Sequence, residues 1–404
     1  MLIPQGYKQT EMGIIPKDWK IISILNIAEL LSGLTYLPEN ISEQGLLVLR
    51  SSNIKDGNLS FEDNVYVNCI IDKNKYVKKN EILICVRNGS SNLIGKCALV
   101  TKNYNATFGA FMAVLRSPIG KYLYQVFSSQ IIQKQIQKNC KATINQITKA
   151  DFKNFYIPIS INIKEQQSIS EALYDTDKLI FSMQKLIDKK KAIKQGAMQE
   201  LLTGKRRLSG FNSKWTEKKI YEIGKVITGS TPSRNDKYLW NGSLHWVSAQ
   251  DLKNKYIFNS IEKITDKGAK YCNFLPAGAV LVTCIASIGL NAIARVPLAT
   301  NQQINSIICN KDFYNEYIYY LLSYSRKILI AIADKTAVPI ISKQNFESMS
   351  FLLPEDKKEQ RAIAKILADM DNEIEKLEIK LQKYKKIKQG MMQQLLTGRI
   401  RLLD

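Results

Sequence analysis

Few residues in this sequence have the types and spacing that chemistry needs. There is one histidine, His245, next to Trp246. A single imidazole allows neither an HExxH metal pair nor a Ser-His-Asp relay. A lone histidine beside an indole reads first as a structural or contact residue. Seven cysteines (Cys69, Cys85, Cys97, Cys140, Cys272, Cys284, Cys309) are scattered and never spaced CxxC. That pattern speaks against a zinc site and a disulfide framework, and fits a reducing cytoplasm. Gly89-Ser90-Ser91-Asn92-Leu93-Ile94-Gly95-Lys96-Cys97 looks like a phosphate-binding loop. It fails because five residues separate its glycines and Cys97 replaces the hydroxyl that would hold magnesium. There is no glycine fingerprint for S-adenosylmethionine, no Asn/Asp-Pro-Pro-Tyr motif and no carboxylate cluster at nuclease spacing. These absences weigh against an independent enzyme.

What the sequence offers instead is polar loops after apolar strands. Arg50, Ser52, Asn53 and Lys55 follow one such strand, and Ser248 and Gln250 occupy the equivalent place later in the chain. Arg87, Asn88 and Ser90 follow the run Glu81–Val86, with Ser287 near the equivalent place after Ala279–Cys284. Thr300-Asn301-Gln302-Gln303 aligns with Thr107-Phe108-Gly109-Ala110. Arginine matches guanine edges, asparagine and glutamine match adenine edges, and lysines hold phosphates. Any one of these loops reads as an ordinary solvated turn. Their recurrence at matched positions makes the set a candidate DNA-contacting surface.

The elements that position these loops are written twice. Residues 189–208 and 383–402 are identical at 14 of 20 positions, at a constant offset of 194. The repeat includes Lys164-Glu165-Gln166 with Lys358-Glu359-Gln360, and Asp175 and Asp177 with Asp369 and Asp371. Near the start of each half, Trp19, Gly33 and Thr35 match Trp215, Gly229 and Thr231. Each helical region follows an apolar-proline segment, Phe155–Pro158 or Phe351–Pro354, in which the proline is expected to end a strand.

Ile169, Leu173, Ile180, Met183 and Ile187 recur at coiled-coil spacing. So do Ile363, Leu367, Met370, Ile374, Leu377 and Leu381. One narrow seam needs a partner, and the two copies supply each other, most simply antiparallel; alternatively, each helix packs on its own globular half. A Leu-Leu-Thr-Gly run closes each helix with a glycine stop. The expected fold is therefore α/β (α+β): two related globular domains, 1–160 and 209–354, and two helical regions, 161–208 and 355–404.

The chain has 404 residues, enough for two or three domains, and a net charge of +22. The charge is spread: +8 over 1–160, +4 over 161–208, +7 over 209–354 and +3 over 355–404. A basic globular surface favours a polyanion, although a lysine-rich bias gives the same number. No apolar run reaches the roughly 18 residues that span a bilayer, and no secretory signal opens the sequence.

This layout resembles the specificity subunit of type I restriction-modification systems. The resemblance is carried by the opening Lys8–Trp19, the lead-ins Pro158…Glu165-Gln166 and Pro354…Glu359-Gln360, and the paired Leu-Leu-Thr-Gly ends. It implies two target-recognition domains that each read half of a bipartite asymmetric DNA site, with two conserved helical regions as a ruler between them. It also implies methyltransferase subunits that dock here and bring S-adenosylmethionine, and restriction subunits that bring ATP and magnesium. No cofactor is then expected on this chain. Phe108-Gly109-Ala110 departs from the Asn-Gln-type pair the family often has at that place. The rival readings are a self-contained DNA-modifying enzyme and a coiled-coil scaffold.

Overall fold

A computed structural model describes residues 3–139, 145–333 and 338–403, so Cys140 lies outside the described residues. The chain folds as two compact units, Met1–Gln184 with Ile379–Asp404, and Lys185–Glu378. Each unit takes one globular head and half of both helical regions.

In the first unit the apolar run after Glu81 becomes an inner strand, Ile82–Cys85, between Cys97–Leu99 and Met112–Arg116, with Glu29–Ser32 outside. Its side chains alternate between two cores. Ile82 and Ile84 face a helical layer with Leu123, Val126 and Phe127. Leu83 and Cys85 face Leu47, Leu49, Ala106 and Phe108 of a second sheet. Burial on both faces explains why the strand reads as a continuous apolar run. In the second sheet Ala106–Phe108 lies parallel to Leu46–Leu49.

The second unit repeats this plan. Val280–Thr283 lies between Asn291–Ala294 and Ile304–Cys309, with Gly224–Thr228 outside. Val280 and Val282 face the helical core, and Leu281 faces Val247 and Leu298. Leu298–Thr300 pairs parallel with the end of Trp240–Val247.

A two-stranded ribbon ties the ends of each head: Trp19–Ser23 with Tyr156–Ser160, and Trp215–Lys219 with Ser350–Pro354. Pro354 ends its strand as expected, but Pro158 does not. It sits opposite Ile21, and the strand runs on to Ser160. A two-stranded ribbon has only edge strands, where a missing N–H is tolerated.

The long helices are Ile163–Leu202 and Lys357–Leu395. Asn162 and Asp356 cap them, each accepting a backbone N–H two residues on. The helices run antiparallel within each unit. In the first, Asp177 pairs with Lys388 at 2.5 Å. In the second, Lys190 pairs with Glu373 at 2.7 Å, Lys191 with Glu378 at 2.6 Å, and Lys194 with Asp371. Asp177–Lys388 and Asp371–Lys194 are one pair repeated at the 194-residue offset. Ile169, Leu173, Met183, Ile187, Ile363, Leu367, Ile374 and Leu381 are buried, while Ile180, Met370 and Leu377 are half-buried. The ends of the stripe also enter the heads. Ile169 and Leu173 share a core with Leu395 and Leu396, and Ile363 and Leu367 share one with Leu201 and Leu202.

Beyond each helix the chain turns back through a glycine at positive φ, Gly204 or Gly398. A Cβ at Gly204 would lie 3.1 Å from Trp215, and one at Gly398 would lie 2.5 Å from Pro16 and 3.1 Å from Trp19. The turn delivers an arginine to a carboxylate. Arg207 binds Glu359 through Nε at 2.7 Å and Nη2 at 2.8 Å, and the Trp215 indole donates to the same carboxylate at 3.4 Å. Arg401 binds Glu165 at 2.6 and 3.0 Å, and Trp19 donates to it at 3.2 Å. Arg401 also forks onto Asp18, at 2.7 and 3.0 Å.

Burial works against the Glu165 charge, but Arg401, Ser160 and Trp19 outweigh it and hold the carboxyl below the usual range. A hydrogen bond from Arg401 does the same for Asp18. The stability from these depressed groups is present above about pH 4, their unfolded range, and is lost as pH falls through their folded values. Arg401→Met strands a fully buried carboxylate and is expected to cost about 3 kcal/mol at neutral pH. Urea titrations of wild type and variant across pH 3–7 (roughly the carboxylate range and above) check this. The difference should be largest at neutral pH and shrink below about pH 4. An equal difference at every pH means that Glu165 is not what the arginine serves.

Candidate nucleic-acid interface

In each head the parallel strand pair and the inner strand of the large sheet release their loops on one side. In the second head, Asn301 N donates to Val247 O at 2.9 Å, Cys284 N to Gln303 O at 2.7 Å, and Gly229 N to Ile304 O at 3.1 Å. Four segments, beginning at Gly229, Ser248, Cys284 and Asn301, therefore meet. In the first head the matching bonds are Gly109 N to Leu49 O at 3.0 Å, Val86 N to Phe111 O at 3.0 Å, and Gly33 N to Met112 O at 3.3 Å.

These bonds correct the sequence alignment by one residue. Gly109 stands where Asn301 does, Ala110 where Gln302 does, and Phe111 where Gln303 does. The sequences share too little here to set the register, but backbone pairing sets it. The first head thus offers Gly-Ala-Phe where the second offers Asn-Gln-Gln. Phe111 is 57% exposed, and the Arg87 guanidinium lies 5.1 Å from its ring centroid.

The candidate contacts fall into groups. Exposed ones are Arg87, Ser90, Gln250, Ser287 and Gln302. Lys55 is exposed but pairs with Glu62. Asn88 donates to Ser51 at 3.2 Å, joining the loop after Cys85 to the loop after Leu49. Arg50 is half-buried and binds Asp63 at 2.9 Å; its Nε and the Ser52 hydroxyl are buried without a hydrogen-bond partner. Ser248 donates its N–H and hydroxyl to Asp251 at 2.8 and 3.1 Å. Asn301 is buried, and its Nδ2 donates to Gln303 Oε1 at 3.0 Å, so those two amides brace each other.

Asn53 is not available to DNA in this arrangement. It is fully buried; its Oδ1 accepts from Arg50 N at 2.9 Å and its Nδ2 donates to Ser60 O and Asp63 O at 3.0 Å. It shapes the turn, as Asp251 does in the second head. Three further residues of these loop clusters are not among the contacts expected from the sequence. Thr231 donates to Gln302 Oε1, Phe111 lies beside Arg87, and Arg234 belongs to the segment that begins at Gly229. The Gly33/Thr35 and Gly229/Thr231 matches were the signal for the Thr231 segment.

His245 Nδ1 lies 3.5 Å from the Ser260 hydroxyl on a strand paired with Glu262–Ile264. Cys97 is buried, which pushes its thiol up to about 12. Among the described residues no three His, Cys, Asp or Glu side chains group as metal ligands, and no helix is long and apolar enough to cross a membrane.

The family model for the type I restriction modification DNA specificity domain matches twice, over residues 16–194 and 212–385. The chain is 36% identical over 168 residues to the type I restriction enzyme MjaIX specificity subunit of Methanocaldococcus jannaschii, covering 40% of this chain and 39% of that one. It is 27% identical to the putative MjaX specificity subunit of the same organism, covering 98% and 97%. The crystal structure of the S subunit of the type I restriction-modification system of M. genitalium has a similar fold, with a TM-score of 0.62 at 17% identity over 98% of each chain. Two copies of one domain family across most of the sequence, on a twice-built frame, place this chain in the type I restriction-modification DNA specificity family, the non-catalytic recognition component of those systems.

Proposed function

We propose that each head reads one half of a bipartite, asymmetric sequence in double-stranded DNA, and that the antiparallel helices set the spacer between the halves. The observation that carries this reading is the contrast between frame and loops. The two heads share the order of their central strands and the backbone joints at the loops, though their edge strands differ, yet place Gly109-Ala110-Phe111 and Asn301-Gln302-Gln303 at the same positions. A common central frame with different edge-reading groups suits two different half-sites. Lysines elsewhere on the basic surface supply phosphate contacts without sequence preference.

In this reading the chain is cytoplasmic and docks methyltransferase subunits that carry S-adenosylmethionine. Restriction subunits carry ATP and magnesium. The test is transfer of a radiolabelled methyl group to duplex DNA. The chain alone is expected to transfer none, and the chain with its methyltransferase subunit to methylate adenine within one bipartite sequence. Transfer by the chain alone at the rate of the complex, or methylation by the complex without sequence preference, contradicts the proposal.

A further inference from the structure

The segment before the strand Trp240–Val247 is held in an unusual way. Its residues 229–236 read Gly-Ser-Thr-Pro-Ser-Arg-Asn-Asp. Two indoles bind its backbone: Trp246 Nε1 donates to Ser230 O and Trp240 Nε1 to Ser233 O, both at 3.0 Å. The rings meet edge to face with centroids 5.0 Å apart. The Arg234 guanidinium lies 3.8 Å from the Trp240 centroid and 4.9 Å from that of Trp246. Glu262 takes both Arg234 Nη groups, with Nη2 to Oε2 at 2.9 Å. That hydrogen-bonded pairing holds the Glu262 carboxyl below its ordinary range. The outer edge of this half-exposed arginine is thus committed to a carboxylate and not left open to a phosphate. An exposed ion pair alone stabilises a fold little. A planar fork stacked on two rings fixes shape, which lysine cannot reproduce.

The other end of the segment meets the candidate readers. Ser230 N donates to Thr300 O at 2.8 Å. A Cβ at Gly229 would lie 2.2 Å from Asn301 O, so only glycine permits this approach. The Thr231 hydroxyl donates to Gln302 Oε1. That bond fixes the exposed amide and leaves its Nε2 donors and one lone pair for a base edge. The corresponding segment of the first head, Gly33–Asn40, contains no arginine.

We propose that Arg234 is a positioning residue for base reading by the second head: its stack on Trp240 and Trp246 holds the segment in the shape from which Thr231 orients Gln302. This rests on the reading of the heads as DNA readers, and it predicts a defect confined to one half-site.

The test uses the full-length chain with its methyltransferase subunit and a random-sequence duplex library, with the bound fraction sequenced. Arg234→Ala and Arg234→Lys are expected to lose discrimination by about tenfold at one or more base pairs of one half-site and to leave the other half intact. Thr231→Val, which leaves the stack in place, is expected to relax the same half-site. If the wild type enriches no bipartite sequence, the DNA-reading proposal itself fails. If the wild type enriches one and all three variants select it unchanged, the positioning role is overturned while DNA reading stands. Loss of both half-sites in the Arg234 variants with Thr231→Val unchanged also overturns it, because that marks a general folding defect.

Discussion

A chain ending at Leu208 is expected to form a stable homodimer that binds a symmetric DNA site. Without residues 379–404 the first unit loses Leu395 and Leu396 from its core, Lys388 from Asp177, and Arg401 from Glu165 and Asp18. Each missing core leucine costs about 2–5 kcal/mol, and a stranded buried carboxylate costs about 3–5 kcal/mol. Together these approach the whole stability of an ordinary domain, about 5–15 kcal/mol, so a monomer of this fragment should not persist. The same fragment carries the replacements 194 residues earlier: Leu201, Leu202, Lys194, Gly204 and Arg207. Two copies can exchange these ends, each completing the other. The contact is then isologous, and the heads present identical loops around a two-fold axis. Light scattering should give twice the fragment mass, and the methylated sequence should be palindromic. A soluble, folded monomer would sink the idea.

Lengthening both helices by four residues should move the half-sites apart without changing either of them. The insertions belong after Lys185 and after Ile379, which are equivalent at the 194-residue offset. Opposed pairs such as Lys190–Glu373 and Asp177–Lys388 then keep their registers. Four residues add about 6 Å and rotate the downstream part of the helix by about 40°. One or two base pairs of duplex add about 3.4–7 Å and about 35–70° of twist. The two changes are of similar size, so the complex should accept a spacer one or two base pairs longer. Two inserted residues rotate the helix by about 200° and turn the apolar stripe away from its partner, so sequence-specific methylation should be lost. Methylome sequencing of cells carrying each variant reads both outcomes. An active four-residue variant with the original spacer means the helices do not set the distance.

Much of the frame was legible in the sequence. The alternating three- and four-residue spacing located both helices, and the Leu-Leu-Thr-Gly runs located their ends. The double burial of Ile82–Cys85 was readable from its unbroken apolar composition. Other features depend on contacts that spacing does not encode. The one-residue shift that sets Gly109 against Asn301 appears only when strand pairing is known. Asn53 has the composition of a base reader, but its amide is consumed by Arg50, Ser60 and Asp63. The Arg234 stack joins residues up to 28 positions apart, so no local pattern announced it. Nor did the sequence segments show that each unit would take half of both helical regions.

The division of the helical regions between the two units bears on synthesis at the ribosome. Domains usually complete themselves in the order in which they emerge. Here the second unit is one continuous stretch, Lys185–Glu378, whereas the first needs residues 379–404 as well. The first unit is completed only when Asp404 has been made, about 220 residues after Gln184, which at roughly 5–20 residues per second is a wait of about 10–40 s. Throughout that interval the N-terminal head has exposed apolar surface around Ile169 and Leu173 and an unneutralised Glu165. Residues 185–207 of a neighbouring nascent chain repeat the lysine, leucines, glycine and arginine of 379–401 and can cover that surface. Of the two units, the one translated first is thus the last to mature, and crowded translation of this message is expected to raise the share of exchanged chains.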